Sequence, residues 1–160
     1  MGISGNDSNG VVKRFDAEVA ARRHHIIIFE IGINDCKYLE DKGDVNISIE
    51  KHRDNMTSLV TKAKGLAEQV IVVGITPVEE EKVNPTPWNT NKSYKNSRIE
   101  EYNEVLQDIC RQEKIDFVDV YSDFMKQSDY KDLLHDGLHP NSAGHERIFS
   151  LVNDLVKKYI

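Results

Sequence analysis

The chain has 160 residues, of which 39% are apolar and 30% are charged, with 27 acidic against 21 basic side chains. This length suits one domain over residues 1–160 that buries a core without disulfides or metals, because domains cluster near ~100–150 residues. The formal charge of −6 and the lack of a Lys/Arg run argue against nucleic acid and anionic membranes as partners.

Targeting and redox features are few. The longest apolar run, residues 26–29, is far shorter than the ~20 residues of a membrane-spanning helix. The first five residues have neither the basic nor the apolar region of a signal peptide. Cys36 and Cys110 form no CxxC pair, so we expect both to be reduced and buried. These features predict a cytoplasmic protein without a membrane span.

Three apolar runs are typical of buried strands. They cover residues 25–31, 70–75 and 115–121. Continuous runs, rather than strict alternation, favour parallel strands that are covered on both faces. A sheet of only three such strands leaves the first strand with an uncovered edge if that strand is outermost.

Apolar residues recur at helical spacing in four segments. These are residues 12–19, 56–67, 99–110 and 148–159. Ser8 or Asn9 is expected to cap the first helix, and Asn141 or Ser142 the last. Alternating strands and helices with right-handed crossovers predict a three-layer α/β sandwich with a parallel sheet.

Two polar segments are predicted to be loops. Residues 37–47 directly follow a strand end, and residues 78–94 contain Pro85, Pro87 and Trp88 without a helix or strand period. Loops of this length are uncommon in compact domains and often form lids or binding loops. The segment around Trp88 is therefore predicted to form either the wall or lid of a binding site or a surface loop outside any site.

The first candidate motif is Gly-Ile-Asn-Asp at residues 32–35, at the carboxyl end of a predicted strand. Open α/β sheets bind their ligands outside the carboxyl ends of the strands. The side-chain amide of Asn34 could there donate to a developing oxyanion. An ordinary turn is the alternative, since Asn and Asp are common after strands.

The second motif is Asp-Gly-Leu-His-Pro at residues 136–140, before the last predicted helix. A carboxylate on Nδ1 of a histidine holds its tautomer and stabilises the imidazolium, and Asp136 could do this for His139 across a tight turn. A helix-capping loop is the alternative. His135 and His139 are four residues apart but stand in a predicted turn and not on a helix, and no HExxH is present, so no metal is expected.

The third motif is Gly-Ile-Ser-Gly-Asn-Asp-Ser at residues 2–8, before the first predicted helix. Backbone N–H groups in such a loop can bind an anion or an oxyanion. A flexible chain start is one alternative. A nucleotide- or phosphate-binding loop is another, although neither GxxxxGK[ST] nor GxGxxG is present.

The three motifs in this order resemble the SGNH (GDSL-type) hydrolase family over nearly the whole chain. The resemblance implies a flavodoxin-like α/β sandwich that hydrolyses small carboxylic esters with a serine nucleophile and without a metal or cofactor. Gly5 and Asn34 match the glycine and asparagine of the family's oxyanion hole. Asp136 and His139 match the acid and base of its catalytic triad.

The substrate side of that site is expected to include Asp35 and Trp88. A module that binds a carbohydrate or acyl ligand without turnover is the alternative function on the same fold. The uncovered sheet edge could also pair with a second copy of the chain and give a homo-oligomer.

One family motif is not found: the Gly-Asp-Ser block that carries the nucleophile. Gly5 and Asn34 leave room between them for one helix and one strand, which matches the family's second and third motifs. Ser8 enters a helix directly without a strand before it, so it is a poor nucleophile candidate, and Ser4 is poorer still. By analogy with whole α/β units, we expect the domain to be N-terminally incomplete by roughly 40–50 residues, with little esterase activity alone. A fragment and a natural relative without a nucleophile both stay open.

Overall fold

The computed structural model describes residues 2–19 and 24–160. In chain order the elements are α1 (Ser8–Val19), β1 (His24–Glu30), α2 (Ile33–Cys36), β2 (Tyr38–Leu39), β3 (Asp44–Val45), α3 (Ile49–Lys64), β4 (Ala67–Val73), α4 (Glu80–Val83), β5 (Lys92–Ser93), α5 (Asn96–Glu113), β6 (Asp116–Val118), α6 (Val120–Met125), a 3₁₀ helix (Tyr130–Leu133) and α7 (Ser142–Val156).

The central sheet consists of three parallel strands in the order β1-β4-β6. The middle strand β4 buries Val70, Ile71, Val72 and Val73, which explains its unbroken apolar run. Among the described residues no strand pairs with the outer side of β1. The prediction of parallel strands is confirmed, and the structure places the first of them at an edge among the described residues.

Helices cover both faces of this sheet. On one face α1, α3 and α5 pack around a core that includes Phe15, Met56 and Leu106. On the other face α6 and α7 pack Phe124 and Ile148 against the opposite side of β4 and β6. The predicted three-layer α/β sandwich is thus confirmed.

The two predicted loops contain a second, smaller sheet. Its order is β3-β2-β5, and both pairings are antiparallel. Tyr38 lies opposite Val45 on one side and opposite Ser93 on the other. Strands of two residues are too short to show a period, so the sequence alone did not predict them.

The third predicted strand is wrong over half of its length. Only Asp116–Val118 is extended, and α6 begins at Val120. Asp119 caps this helix, because its Oδ1 accepts a hydrogen bond of 3.0 Å from the backbone N–H of Ser122. Because the apolar residues of β6 are followed within two residues by those of α6, the sequence shows one apolar run across both elements.

The predicted cap of α1 is wrong by one residue. Oδ1 of Asp7 accepts a hydrogen bond of 3.0 Å from the backbone N–H of Gly10, as an N-cap side chain does. Ser8 is the first helical residue and is fully buried. Its hydroxyl therefore packs inside the molecule and does not cap the helix.

Of two other predicted helix boundaries, one is confirmed and one is wrong. Asn141 caps α7 by accepting from the backbone N–H of Gly144 at 3.1 Å, as predicted. The helix predicted to run to residue 67 ends earlier, because Gly65 closes α3 and Ala67 opens β4.

Both cysteines are free thiols and are buried, as predicted. Burial raises the pKa of the Cys110 thiol to about 12 and also raises that of Cys36. Within residues 2–19 and 24–160, no helix is both long and apolar enough to cross a membrane.

The packing of α3 on the sheet gives a stability prediction. Leu59→Ala should lower the free energy of unfolding by about 2–5 kcal/mol, because it leaves a cavity in a close-packed core. Leu66→Ala is the matched control, since Leu66 is 42% exposed and Leu59 only 1%. Urea unfolding of both variants measures the difference, and equal losses would contradict this account of the core.

Candidate active site

A cavity of about 320 Å³ opens at the carboxyl ends of β1 and β4. This volume is within the range of small-molecule sites. Four of the predicted site residues line it: Gly5, Asn34, Trp88 and His139. The structure thus brings three motifs that are far apart in sequence to one place.

The Asn34 side chain is presented by a turn that needs a glycine. Gly32 has a φ of +138°, and a Cβ at this position would lie 2.5 Å from Cδ1 of Ile75. The chain turns there into α2, which carries Asn34 at the cavity. Nδ2 of Asn34 donates to the backbone carbonyl of Asn6 at 3.1 Å. A primary amide has a second N–H, which is left for another acceptor such as an oxyanion.

The loop that carries Gly5 is tied to the same turn. Gly5 has a φ of +73°, in the left-handed region that favours glycine. Nδ2 of Asn46 donates both to Oδ2 of Asp7, at 3.0 Å, and to the backbone carbonyl of Asn34, at 2.9 Å. The Gly5 backbone and the Asn34 amide are therefore held at one cavity wall, where two N–H donors can stabilise developing negative charge.

The expectation that Asp35 lies on the substrate side is wrong. Its side chain is fully buried, and it does not line the cavity. Oδ2 accepts from the backbone N–H of Ser8 at 3.0 Å, and Oδ1 lies 3.0 Å from Nδ1 of His52. Neighbouring residues of a helical turn point about 100° apart, so Asn34 faces the cavity while Asp35 faces the core.

His52 is a site-supporting residue that no sequence motif indicated. It is fully buried in α3, and its ring centroid lies 5.0 Å from that of Tyr102. Its Nε2 has no hydrogen-bond partner among the described residues, so we assign the proton to Nδ1, which donates to Asp35. The available signal was its position one helical turn before the buried Met56.

Neither candidate serine is activated by the predicted base. Oγ of Ser8 accepts from Nδ2 of Asn55 at 2.8 Å, in the interior and away from the cavity. Ser4 lines the cavity. Within the described part of the chain, however, no serine hydroxyl is hydrogen-bonded to the His139 ring.

Asp136 and His139 form a hydrogen-bonded pair within one turn. Oδ2 of Asp136 lies 2.8 Å from Nδ1 of His139, and Oδ1 accepts the backbone N–H groups of Leu138, at 3.0 Å, and His139, at 2.8 Å. Gly137 has a φ of +87°, and a Cβ there would lie 2.8 Å from Cβ of Lys82. The turn therefore requires this glycine.

Opposing effects act on the Asp136 carboxyl. Partial burial acts to raise its pKa, but the hydrogen bonds from the His139 backbone and ring and from the Leu138 N–H together hold the pKa below its ordinary value. A charged Asp136 fixes the proton of neutral His139 on Nδ1 and leaves Nε2 to act as a general base.

Further residues line the cavity that the motifs did not include. Trp88 is half-exposed, and its indole ring centroid lies 6.4 Å from that of His139. Ile75 and Thr76 follow Gly74 at the carboxyl end of β4, so the rule that ligands bind at strand ends could have found them. Lys92 lines the cavity because β5 pairs with β2 and so brings the long polar segment back to this site.

No group of three or more possible metal ligands occurs within residues 2–19 and 24–160.

Known sequences are similar to this chain over most of its length. Residues 1–147 match the sequence model of the GDSL-like Lipase/Acylhydrolase family. The GDSL esterase/lipase CPRD49 of Arabidopsis thaliana is 24% identical over 154 residues. That alignment covers 92% of this chain but only 60% of the plant protein, so the chain spans about three fifths of this relative's length.

Solved structures share the fold. A GDSL-like lipase from Bacteroides thetaiotaomicron superposes with a TM-score of 0.81 at 22% identity, over 100% of this chain and 75% of that chain. The acetylxylan esterase Axe2 from Geobacillus stearothermophilus superposes with a TM-score of 0.71 at 24% identity, over 92% of this chain and 68% of that chain.

The buried pair beneath the cavity gives a second prediction. His52→Ala should lower the free energy of unfolding by about 3–5 kcal/mol, because it leaves Asp35 buried with one partner fewer. His25→Ala is the matched control, since the ring of His25 meets Glu68 on the surface. Thermal and urea unfolding compare the two variants. If His52→Ala is as stable as His25→Ala, the buried pair does not hold the turn.

Proposed function

Because its residues 1–147 match the family model, the chain belongs to the GDSL-like Lipase/Acylhydrolase family, and we propose that its cavity serves the hydrolysis of carboxylic esters. The observation that supports this most is the convergence of Gly5, Asn34 and His139 on one cavity, with Asp136 bonded to His139. These groups are the oxyanion donors and the acid–base pair of acyl transfer by a serine hydrolase.

In the proposed reaction a serine hydroxyl attacks the ester carbonyl while Nε2 of His139 takes the hydroxyl proton. The tetrahedral oxyanion is stabilised by the Gly5 N–H and the Asn34 amide. As the C–O bond between the acyl carbon and the alcohol oxygen breaks, His139 gives the proton to the leaving alcohol. The acyl group stays bonded to the serine as an acyl-serine. Water then attacks the acyl group with His139 again as base, which releases the acid and restores the serine.

The nucleophilic serine is proposed to come from a segment outside these 160 residues. Two observations support this. Ser8 is buried and its hydroxyl is hydrogen-bonded to Asn55, and among the described residues no serine hydroxyl is hydrogen-bonded to the His139 ring. The chain alone should then be a poor esterase, although an oxyanion hole and a binding cavity without a nucleophile retain some catalysis.

The leaving alcohol is proposed to occupy the side of the cavity next to Trp88. This indole lies beside His139, which delivers the proton to the alcohol oxygen. The acyl group would then lie against the apolar wall formed by Ile33 and Ile75.

One observation favours a second function. A half-exposed indole beside an open cavity can bind a flat apolar face of a ligand without any chemistry. A binding module for a carbohydrate or acyl ligand, derived from the same fold, would use Trp88 in this way. It differs from the hydrolase in one respect: adding the serine-bearing segment would give binding without turnover.

The test is turnover of 4-nitrophenyl acetate by the chain and by three variants, Ser4→Ala, Ser8→Ala and His139→Ala. The chain should hydrolyse the ester only slowly, and the two serine variants should match it because neither hydroxyl is the nucleophile. His139→Ala should slow the reaction further, since the base is removed, but not to the uncatalysed rate, because the oxyanion donors and the cavity remain.

The same assay on the chain extended by its upstream coding segment separates the two functions. Turnover that requires His139 is expected for the hydrolase. Fast turnover by the unextended chain that disappears in Ser4→Ala or Ser8→Ala would show instead that the nucleophile is internal. Activity indifferent to His139→Ala would overturn the acid–base pair.

A further inference from the structure

Lys37 is a buried lysine next to the candidate oxyanion donors. Among the lysines of residues 2–19 and 24–160 it is the only buried one, with 8% of its surface exposed. Lysine is rarely buried unless its ammonium group is paired with an opposite charge. Within the described residues no carboxylate forms an ion pair with this Nζ. A salt bridge therefore does not explain why this side chain is buried.

The Nζ of Lys37 is directed at the side chain of Asn34. It donates to Oδ1 of Asn34 at 3.4 Å. The two residues are three apart at the end of α2, a spacing that places their side chains on one side of a helical turn. Asn46 holds both of them, because its backbone N–H donates to the Lys37 carbonyl at 2.8 Å and its Nδ2 donates to the Asn34 carbonyl at 2.9 Å. Lys37 and Asn34 are thus fixed relative to each other.

This contact decides which way the Asn34 amide is turned. The oxygen and nitrogen of an asparagine amide exchange places when the group rotates by half a turn, and the hydrogen-bond partners select one orientation. Here Oδ1 lies at Nζ of Lys37, and Nδ2 lies at the backbone carbonyl of Asn6. The opposite orientation would set donor against donor at Lys37 and acceptor against acceptor at Asn6. Both contacts therefore favour the orientation that leaves the second N–H for an oxyanion.

The same contact makes Asn34 a stronger donor. Hydrogen bonds in a chain polarise one another, so a bond accepted by Oδ1 strengthens the bonds that Nδ2 donates. A donor that carries charge has a larger effect than a neutral one. Negative charge on an oxygen bound to Nδ2 would therefore interact with Lys37 through the amide.

Charges on neighbouring elements act on Lys37 in both directions. Burial, together with the ammonium group of Lys92 on β5, lowers the pKa of Lys37. The carboxylates of Asp7 and Asp35 act to raise the same pKa. Nζ carries N–H groups in both protonation states, so the contact with Asn34 does not depend on one of them.

We propose that Lys37 is a positioning residue for ester hydrolysis, which holds the Asn34 amide in its donating orientation and acts on the oxyanion through that amide. This rests on the proposed function, because that function gives Asn34 the oxyanion. Lys37 does not line the cavity, so it does not touch the substrate itself. An unpaired buried amine costs stability, and the site retains it for its effect on Asn34.

The first experiment compares the ¹⁵N-labelled, ligand-free chain with Lys37→Met, which keeps an apolar stem of similar length and removes the donor. The side-chain N–H resonances of Asn34 should shift and broaden, since one of the two contacts that orient the amide is lost. The midpoint of thermal unfolding should not fall, because an apolar side chain replaces an unpaired buried amine. Lys51→Met, at an exposed position of α3, is the control and should leave the Asn34 resonances unchanged.

A purely structural role for Lys37 gives the opposite pattern. Lys37→Met would then lower the unfolding midpoint and leave the Asn34 side-chain resonances where they are. Unchanged Asn34 resonances in Lys37→Met would overturn the proposal, whatever the stability of the variant.

The second experiment measures hydrolysis of 4-nitrophenyl acetate by the chain extended by its upstream coding segment. Lys37→Met should lower kcat about tenfold, the equivalent of roughly one hydrogen bond, and leave KM unchanged, because the charge develops only in the transition state. In the Asn34→Ala background the same change should have no further effect, since Lys37 acts through the amide.

An equal loss of kcat in both backgrounds would overturn the proposal, because Lys37 would then act on the reaction without Asn34. An extended chain that does not turn over the ester at all would overturn the proposed function instead. In that case the Asn34 resonances of the ligand-free chain still decide whether Lys37 holds the amide, so the two failures are distinguishable.

Discussion

The buried carboxylate of Asp35 is the contact on which the candidate site depends. It accepts the backbone N–H of Ser8, at the start of α1, and pairs with His52 of α3, while the residue before it is Asn34. One side chain thus joins the loop of Gly5 to the turn of Asn34. A buried polar group is costly unless its hydrogen bonds are made, so these partners constrain each other's positions.

The two halves of the proposed site, the oxyanion donors and the acid–base pair, are held in different ways. The oxyanion side depends on long-range contacts, such as the hydrogen bond from Asn46 to Asp7. The acid–base side is local, because Asp136 and His139 meet within one turn that Gly137 makes possible. Loosening the core should therefore disturb the oxyanion donors before it disturbs the acid–base pair.

Sequence patterns predicted those features that depend on local chemistry. Unbroken β-branched runs indicated the parallel strands, and strand-end and turn motifs located Asn34, Asp136 and His139. Features set by tertiary packing were not predictable in this way. Asp35 faces inward because Ser8 and His52 meet it there, contacts that join distant parts of the chain. The two-residue strands β2 and β5 are defined by their pairing with each other, across a large separation in sequence.

The Gly5 N–H and the Asn34 amide are proposed to form one oxyanion site. Its most direct measurement is an NMR titration of the ¹⁵N-labelled chain with a short-chain carboxylate, the acid product of ester hydrolysis. A carboxylate oxygen in that site should shift the backbone resonance of Gly5 and the side-chain amide of Asn34 together, and Asn34→Ala should remove the Gly5 shift. Shifts at neither group, or a Gly5 shift unchanged in Asn34→Ala, would contradict the account.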